Sequence, residues 1–481
     1  MNFVIIMNDT LRPDYLSAYG NDWVRSPNAA TFAKASAVFD HAYVGSYPTI
    51  PNRTDLFTGR YGEPFHPWLP LSYSETTLPQ ILGQNGYVTQ LICDTPHLVN
   101  GGHNFDYPFH GWEFIRGQEI DRLGMDSDPI DLPFKDTSKS APRFINRSIA
   151  QHLRNIRGVK REEDTATHRT CQRVINWLER NTGHEKFFLW VDAFDPHEPN
   201  LPPQHYVDLY DPGYEGDVFV SHVPDPAKLS EAEVGNVVAR YAGTVTFADR
   251  CFGRVLQAID DLGLADDTCV VWMSDHGTYL NEHGHILTKT CEYDEIGRTV
   301  LMIRTPSGET AGQRFDELVQ PADLAPTVLE MAGIDVPECM QGRSYLPLLR
   351  GKACPVRDVA FSAAGFYNFK ERKHCIRAHD GRWLLLDRPI PEERELYDTE
   401  SDPDQLSNVA KDHPAEAERL HEAVVEFLKT HEAQPQIVRL YEEGDPGDMT
   451  GYVARRPGYE HFRMYAVNLL NSHIVPEEDG Q

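Results

Sequence analysis

Cys269-Val270-Val271-Trp272-Met273-Ser274-Asp275-His276-Gly277 is a five-residue apolar run that passes directly into a serine, a carboxylate, an imidazole and a glycine. A run of that length, bounded by a polar turn, reads as a buried strand ending in a loop. Three other stretches repeat the pattern. Phe3–Met7 is followed by Asp9, Val88–Cys93 by Asp94, Thr95 and His97, and Phe187–Val191 by Asp192, Asp195 and His197. Between them lie the amphipathic stretches Thr165–Arg180 and Tyr241–Leu262, with Gly86 and Gly263 where such helices would end. Strands alternating with helices predict an α/β fold whose largely parallel sheet is covered on both faces.

Ligands of open parallel sheets bind outside the carboxyl ends of the strands. A single aspartate at such a place is commonly a helix cap. Four strands that all end in ligand-type residues point instead to a shared metal or anion site. Asp9, Asp275 and His276 combine carboxylate with imidazole, which suits Zn²⁺ or Mn²⁺. Ca²⁺ fits less well, because it prefers an all-oxygen shell.

The second informative stretch is Tyr47-Pro48-Thr49-Ile50-Pro51-Asn52-Arg53-Thr54-Asp55-Leu56-Phe57-Thr58-Gly59-Arg60. Two prolines stiffen the chain around Thr49, and Asn52 is a candidate N-cap for a helix through Phe57. Thr49 would then stand beside a helix N-terminus, where backbone N–H groups favour an anion. Arg53 adds a planar fork suited to a tetrahedral oxyanion.

The bulk composition sets limits. The chain has 481 residues, 40% hydrophobic and 25% charged, enough for a large α/β unit and a smaller second one. A formal net charge of −28 disfavours nucleic acid and anionic membrane as partners. No stretch approaches the roughly 18 apolar residues of a membrane span. The opening residues carry no charged leader segment. The eight cysteines form no CxxC pair and read as reduced thiols, so a cytoplasmic location is expected. The stretches Ile120–Lys160 and Leu201–Lys228 are polar and irregular, and could wall a pocket that selects the substrate. The division expected is 1–368 for the large unit and 369–481 for the smaller one. The latter holds a hairpin around Asp380-Gly381, a charged helix over Pro414–Lys429 and a tail that could pair subunits into a homo-oligomer.

The motifs together resemble the sulfatase family of the alkaline phosphatase superfamily. Asn8-Asp9-Thr10-Leu11-Arg12-Pro13-Asp14-Tyr15-Leu16 looks like its opening motif, and Ser26-Pro27-Asn28 like the next. Thr49-Ile50-Pro51-Asn52-Arg53, ending in Thr58-Gly59-Arg60-Tyr61, resembles its Cys/Ser-x-Pro-x-Arg signature. Asp195-Pro196-His197, Ser274-Asp275-His276-Gly277, Glu282-His283-Gly284 and Lys289 are similar to later motifs, and Glu395-Leu396-Tyr397-Asp398 to the C-terminal part. The resemblance implies an alkaline-phosphatase-type α/β/α sandwich with a small C-terminal antiparallel sheet. It also implies a divalent metal held by Asp9, Asp275 and His276, with Thr49 completing its shell.

Three departures matter. Sulfatases carry, at the position of Thr49, a Cys or Ser that is oxidised to formylglycine, and threonine is not a known substrate of that oxidation. They usually have a second Asp where this chain has Thr10, and often Asn where it has His276. The last two changes resemble the phosphonate monoester hydrolase/phosphodiesterase branch. The expected activity is therefore metal-dependent hydrolysis of phosphodiesters or phosphonate monoesters, with a small anionic ester as substrate. Thr49 is the expected nucleophile, Arg53 and Lys289 neutralise charge, and His197 protonates the leaving oxygen. Asn52, Thr95 and His97 are expected to bind substrate, with Asp94 beside them. Asp192, Asp195, His197, His283 and His285 could hold a second metal, although Lys289 resembles the cation that replaces it in one-metal branches. A sulfatase working without formylglycine, and an inactive sulfatase-like binding protein, are the alternatives.

Overall fold

The computed structural model describes residues 1–445 except 63, 100–101, 126–127, 141–144, 288–290 and 365–373. The strands are β1 (Asn2–Asn8), β2 (Ala37–Phe39), β3 (Ser46–Tyr47), β4 (Val88–Cys93), β5 (Gly111–Phe114), β6 (Phe187–Ala193), β7 (Thr268–Ser274), β8 (Leu301–Arg304), β9 (Arg314–Phe315), β10 (Ala360–Ala364), β11 (Ile376–His379), β12 (Trp383–Asp387) and β13 (Glu395–Asp398). They form an eight-stranded sheet, ordered β5-β4-β6-β1-β7-β8-β2-β9, and a five-stranded sheet, β13-β12-β11-β10-β3. This is the expected alkaline-phosphatase-like architecture.

The four strands read from sequence are β1, β4, β6 and β7, and they lie side by side. From β5 through β7 every pairing is parallel. β8 runs antiparallel to both β7 and β2, while β9 is parallel to β2, so the sheet is mixed. The central strands alternate between two cores, as the two-residue period of a strand requires. Val4 and Ile6 join one core with Phe32, Val174, Leu178 and Val255. Phe3, Ile5 and Met7 join the other with Ile50, Phe57, Leu82 and Val328. Continuous apolar runs in β1, β6 and β7 are thus the mark of strands with both faces covered.

Helix ends follow their local chemistry. The helix Ala166–Asn181 is capped by the Thr165 hydroxyl, which accepts from the His168 N–H. The long helix spans Glu231–Asp261 and begins ten residues before the expected Tyr241. Ser230 and Glu233 form a reciprocal capping box at its start. The stretch Ile120–Lys160 is less irregular than expected, because a π turn at Ile145–Ile149 leads into the helix Ala150–Ile156. Its buried Ile145, Ile149 and Ala150 explain why it folds back on the core.

The hairpin expected around Asp380-Gly381 is β11–β12, antiparallel, with Gly381 at φ +101°. The helix Pro414–Thr430 lays Leu420, Val424 and Phe427 against Ile376 and Leu385 of that sheet. The smaller sheet also takes β10 and the short β3, whose Tyr47 leads directly into the Thr49 helix. The expected boundary at 368–369, and the tail from 446 onward in which a subunit contact was expected, lie outside the described residues. Among the described residues no helix is long and apolar enough to cross a membrane.

Candidate active site

Asp9 stands one residue past β1, and Asp275 and His276 follow the neighbouring β7. All three are fully buried, and one donor atom from each lies within 4.8 Å of the others. The turn after β1 is unusual: Thr10 has φ +65°, its N–H donates to Asp275 Oδ1 (2.9 Å), and its hydroxyl donates to Asp9 Oδ1 (2.9 Å). Tyr241 of the long helix fixes this turn, donating to Thr10 O (2.6 Å) and accepting from Arg12 N (2.9 Å). Gly277 is required on steric grounds, since a Cβ there would lie 1.9 Å from Glu295 O.

His276 Nδ1 donates to Gly277 O (2.8 Å), which turns Nε2 to the opposite side. That nitrogen lies 3.5 Å from Asp275 Oδ2 and 3.8 Å from Asp9 Oδ1. Two carboxylates and an imidazole nitrogen converge in a donor set that fits a cation. The carbonyl behind His276 is the orienting partner that metal-bound histidines use. The residues therefore fit a divalent ion.

Thr49 is the first residue of the helix Thr49–Thr58, with Pro48 before it. Asn52 is consequently not the cap but lies inside the first turn, its N–H donating to Pro48 O. Thr49 Oγ lies 3.5 Å from His276 Nε2, on the side of the ring that faces the carboxylates. The Tyr47 ring packs edge-on against His276, centroids 5.0 Å apart, and holds it from behind. Asn52 Nδ2 donates to Asp275 O (3.1 Å), tying the helix to the end of β7.

Arg53 does not point into open space as a fork for substrate. It is fully buried and engages three carboxylates: Asp192 through Nε (3.1 Å) and Nη2 (2.9 Å), Asp9 at 3.3 Å, and Asp275 through Nη1. Burial works against its charge, but Asp192, Asp275 and Asp9 more than offset that and raise its pKa. In return, burial pushes Asp275 up while Arg53, His276 and two backbone N–H groups pull it down to about 2, so it is ionised. The physical reason is charge: three aspartates at adjacent strand ends cannot stay buried without a cation among them.

Thr95 likewise lines no open space, because its hydroxyl donates to Asp192 Oδ1 (2.7 Å), and Trp190 Nε1 donates to the other oxygen (3.0 Å). Asp94 accepts from Phe194 N (2.7 Å) and Thr170 Oγ (3.0 Å), a strap between β4 and β6. His97 and His197 do come together, ring centroids 6.3 Å apart. His97 Nε2 lies 3.3 Å from Glu119, and His197 Nδ1 lies 2.6 Å from Glu198 O and 3.4 Å from its carboxylate. The residues considered for a second metal scatter. Asp192 is committed to Arg53, Asp195 accepts from Gln118 and Thr167, and His283 stacks on Tyr293 at 3.6 Å. Lys289 lies outside the described residues. Asp192 as the partner of Arg53, and Thr10 and Tyr241 as the frame of the turn, were not read from sequence. Nothing in the interior of a long amphipathic helix marks Tyr241.

Comparison with known proteins gives this arrangement a family. The sulfatase family model matches residues 1–334, and the C-terminal model of N-sulphoglucosamine sulphohydrolase matches 281–434. The chain belongs to the sulfatase family. This sulfatase-family protein is 24% identical to an N-acetylglucosamine-6-O-sulfatase of Bacteroides thetaiotaomicron, over 93% of this chain and 88% of that one. Two solved structures share its fold. The phosphonate monoester hydrolase of Agrobacterium radiobacter superposes with a TM-score of 0.70 at 21% identity, covering 89% and 96% of the two chains. An enzyme solved with its substrate D-glucosamine-2-N,6-O-disulfate gives 0.72 at 19%, covering 90% and 98%. Membership in the family, within the alkaline phosphatase superfamily, makes the protein a metal-dependent hydrolase of sulfate or phosphate esters.

Proposed function

We propose that this protein hydrolyses phosphodiesters or phosphonate monoesters, with Thr49 as the nucleophile. The observation that carries the reading is the position of the Thr49 hydroxyl. It sits at the first residue of a helix, 3.5 Å from the Nε2 face of His276 that Asp9 and Asp275 share. A divalent ion held by Asp9, Asp275 and His276 would supply Lewis acidity and a lowered pKa for the Thr49 hydroxyl. Thr49 Oγ gives its proton to solvent water and attacks phosphorus in line; the O–P bond forms as the bond to the alcohol oxygen breaks. That oxygen takes a proton from His197, whose Nδ1 is fixed by Glu198 O at 2.6 Å. Water then cleaves the phosphothreonine. Arg53 keeps the aspartates ionised and in place rather than touching the ester. The free thiols, five of them buried, favour a reducing compartment, and we assign the protein to the cytoplasm.

A second reading, a sulfate ester substrate, is favoured by the name of the Bacteroides relative. Against it stands Thr49 itself. A formylglycine hydrate expels sulfate by elimination, a route closed to a threonyl ester. The deciding experiment is an assay of Mn²⁺- and Zn²⁺-loaded protein on p-nitrophenyl phosphate, a p-nitrophenyl phosphodiester, p-nitrophenyl phenylphosphonate and p-nitrophenyl sulfate. Diester or phosphonate turnover that disappears in Thr49→Ala supports the proposal. Turnover of the sulfate alone overturns it, and turnover of none moves the weight to a binding protein.

A further inference from the structure

Beside the site lies a cavity of about 90 Å³ whose wall includes Asp195, Gln118, His152, Val159, Leu201 and Phe247. It takes residues from both stretches expected to wall a substrate pocket, 120–160 and 201–228. Contacts tie its wall to the candidate site: His152 Nδ1 accepts from Glu119 N, Glu119 lies 3.3 Å from His97 Nε2, and Asn8 Nδ2 donates to Asp195 O (2.8 Å). Asp195 is two residues from His197, and Gln118 precedes Glu119, the partner of His97.

The chemistry of the lining is specific. The buried His152 accepts the Glu119 N–H at Nδ1 (3.0 Å), so the proton of its neutral ring is on Nε2. Burial holds this ring neutral, with a pKa lowered to about 4. No described residue accepts from that Nε2–H, leaving a donor nine-tenths buried at the cavity wall. Asp195 is the matching acceptor. Gln118 (3.3 Å) and Thr167 each supply one hydrogen bond, which leaves lone pairs for another. Leu201, Phe247 and Val159 supply apolar surface between these two groups. The charged residues of the lining, Arg116, Arg169, Asp164 and Asp195, balance to zero, so the cavity favours an uncharged group. Size narrows the class. A cavity of ~150 Å³ takes a benzene ring, so one of about 90 Å³ takes roughly four heavy atoms.

We propose that this cavity binds a short hydroxyalkyl arm of the ester substrate, whose hydroxyl donates to Asp195 and accepts from His152. This rests on the phosphorus-ester reading for its chemistry but not for its binding. An aryl arm or a pyranose ring would be too large for the enclosed part.

The test uses p-nitrophenyl phosphodiesters with one leaving group and three second arms: propyl, 3-hydroxypropyl and phenyl. It also uses ligand-detected NMR with ethylene glycol, which needs no turnover. Wild type should show kcat/KM about tenfold higher for the hydroxypropyl than for the propyl arm, the worth of one hydrogen bond to a charged group. Val159→Trp, which narrows the cavity from its rim, should erase that preference and abolish the ethylene glycol signal. Ester turnover without an arm preference, or an ethylene glycol signal unchanged in Val159→Trp, overturns the cavity assignment. Ethylene glycol binding lost in Val159→Trp with no turnover of any phosphorus ester supports the cavity and overturns the phosphorus chemistry.

Discussion

Two buried guanidinium–carboxylate clusters bracket the helix Thr49–Thr58, one against the strand ends and one just past its last turn. In the first, Arg53 meets Asp9, Asp192 and Asp275. In the second, Arg357 meets Asp323 alone, with Gln320 Oε1 (3.0 Å) and Tyr61 Oη as neutral acceptors. Asp323 is further satisfied by Gln320 N (2.8 Å) and Arg343 N (2.7 Å). Geometry alone does not separate the two, since both are dry, bidentate and hydrogen-bonded. Charge does. Three carboxylates on one arginine leave the first cluster two charges short of neutrality. The second closes at zero. Protein interiors tolerate a balanced pair as structure, but an unbalanced one is stable only with a further cation. The surplus of negative charge is what separates the working cluster from the lock.

The largest effect that could break this contrast is on turnover. Thr49→Ala should lower kcat by about 10³–10⁴-fold while metal content and unfolding midpoint stay at wild-type levels. Arg357→Ala should do the reverse. It loses about 3 kcal/mol by urea titration, because Asp323 is left buried without its cation, yet it keeps wild-type kcat. An Arg357 variant as inactive as Thr49→Ala would show that the second cluster is not merely a lock.

A metal titration sharpens the same contrast. Arg53→Ala leaves three aspartates without their guanidinium and should cost about 3–5 kcal/mol in the presence of a chelator. At one fixed Mn²⁺ concentration it should recover more than wild type gains, about 1.4 kcal/mol for each tenfold by which loss of the guanidinium tightens the ion's Kd. Arg357→Ala should gain no more from Mn²⁺ than wild type does. Equal responses of the two variants, measured by calorimetry with and without the ion, would remove the charge-surplus argument.

Much of this was legible before the structure, for reasons that differ by element. Strands β1, β4, β6 and β7 announce themselves because central parallel strands are apolar on both faces, and their polar successors mark one sheet edge. Asp9, Asp275 and His276 could therefore be grouped from two separate stretches. The direction of Arg53 could not. Sequence places a cation near an anion site but does not say which anions it faces, and here the protein's own aspartates outnumber it. Thr95 misled for the same reason, since a hydroxyl after a strand end is equally a substrate donor and a donor to Asp192. The start of the long helix at Glu231 was missed because its first ten residues, Glu231 to Arg240, are mostly polar or small, and only the Ser230–Glu233 capping box betrays it.

The smallest effect concerns Asp195, a carboxylate with no arginine ion pair among the described residues. Burial raises its pKa to about 6, against which the Thr167 and Gln118 hydrogen bonds act only partly. A carboxyl group whose folded pKa lies above its unfolded value holds its proton more tightly when folded. Its contribution is therefore most favourable below about pH 4 and is lost as pH rises through 6. The residue is partly open to the cavity, so the loss is about 1–2 kcal/mol rather than the full linkage value. Asp195→Asn should flatten stability between pH 4 and 7 in urea titrations and gain over wild type at pH 7. The same variant should lose the hydroxypropyl preference, because an amide turned to face Thr167 and Gln118 offers the arm a poorer acceptor than a carboxylate. A parallel fall of stability with pH in both proteins would mean that the cavity already supplies a cation to Asp195, and the arm it takes would then have to be anionic rather than neutral.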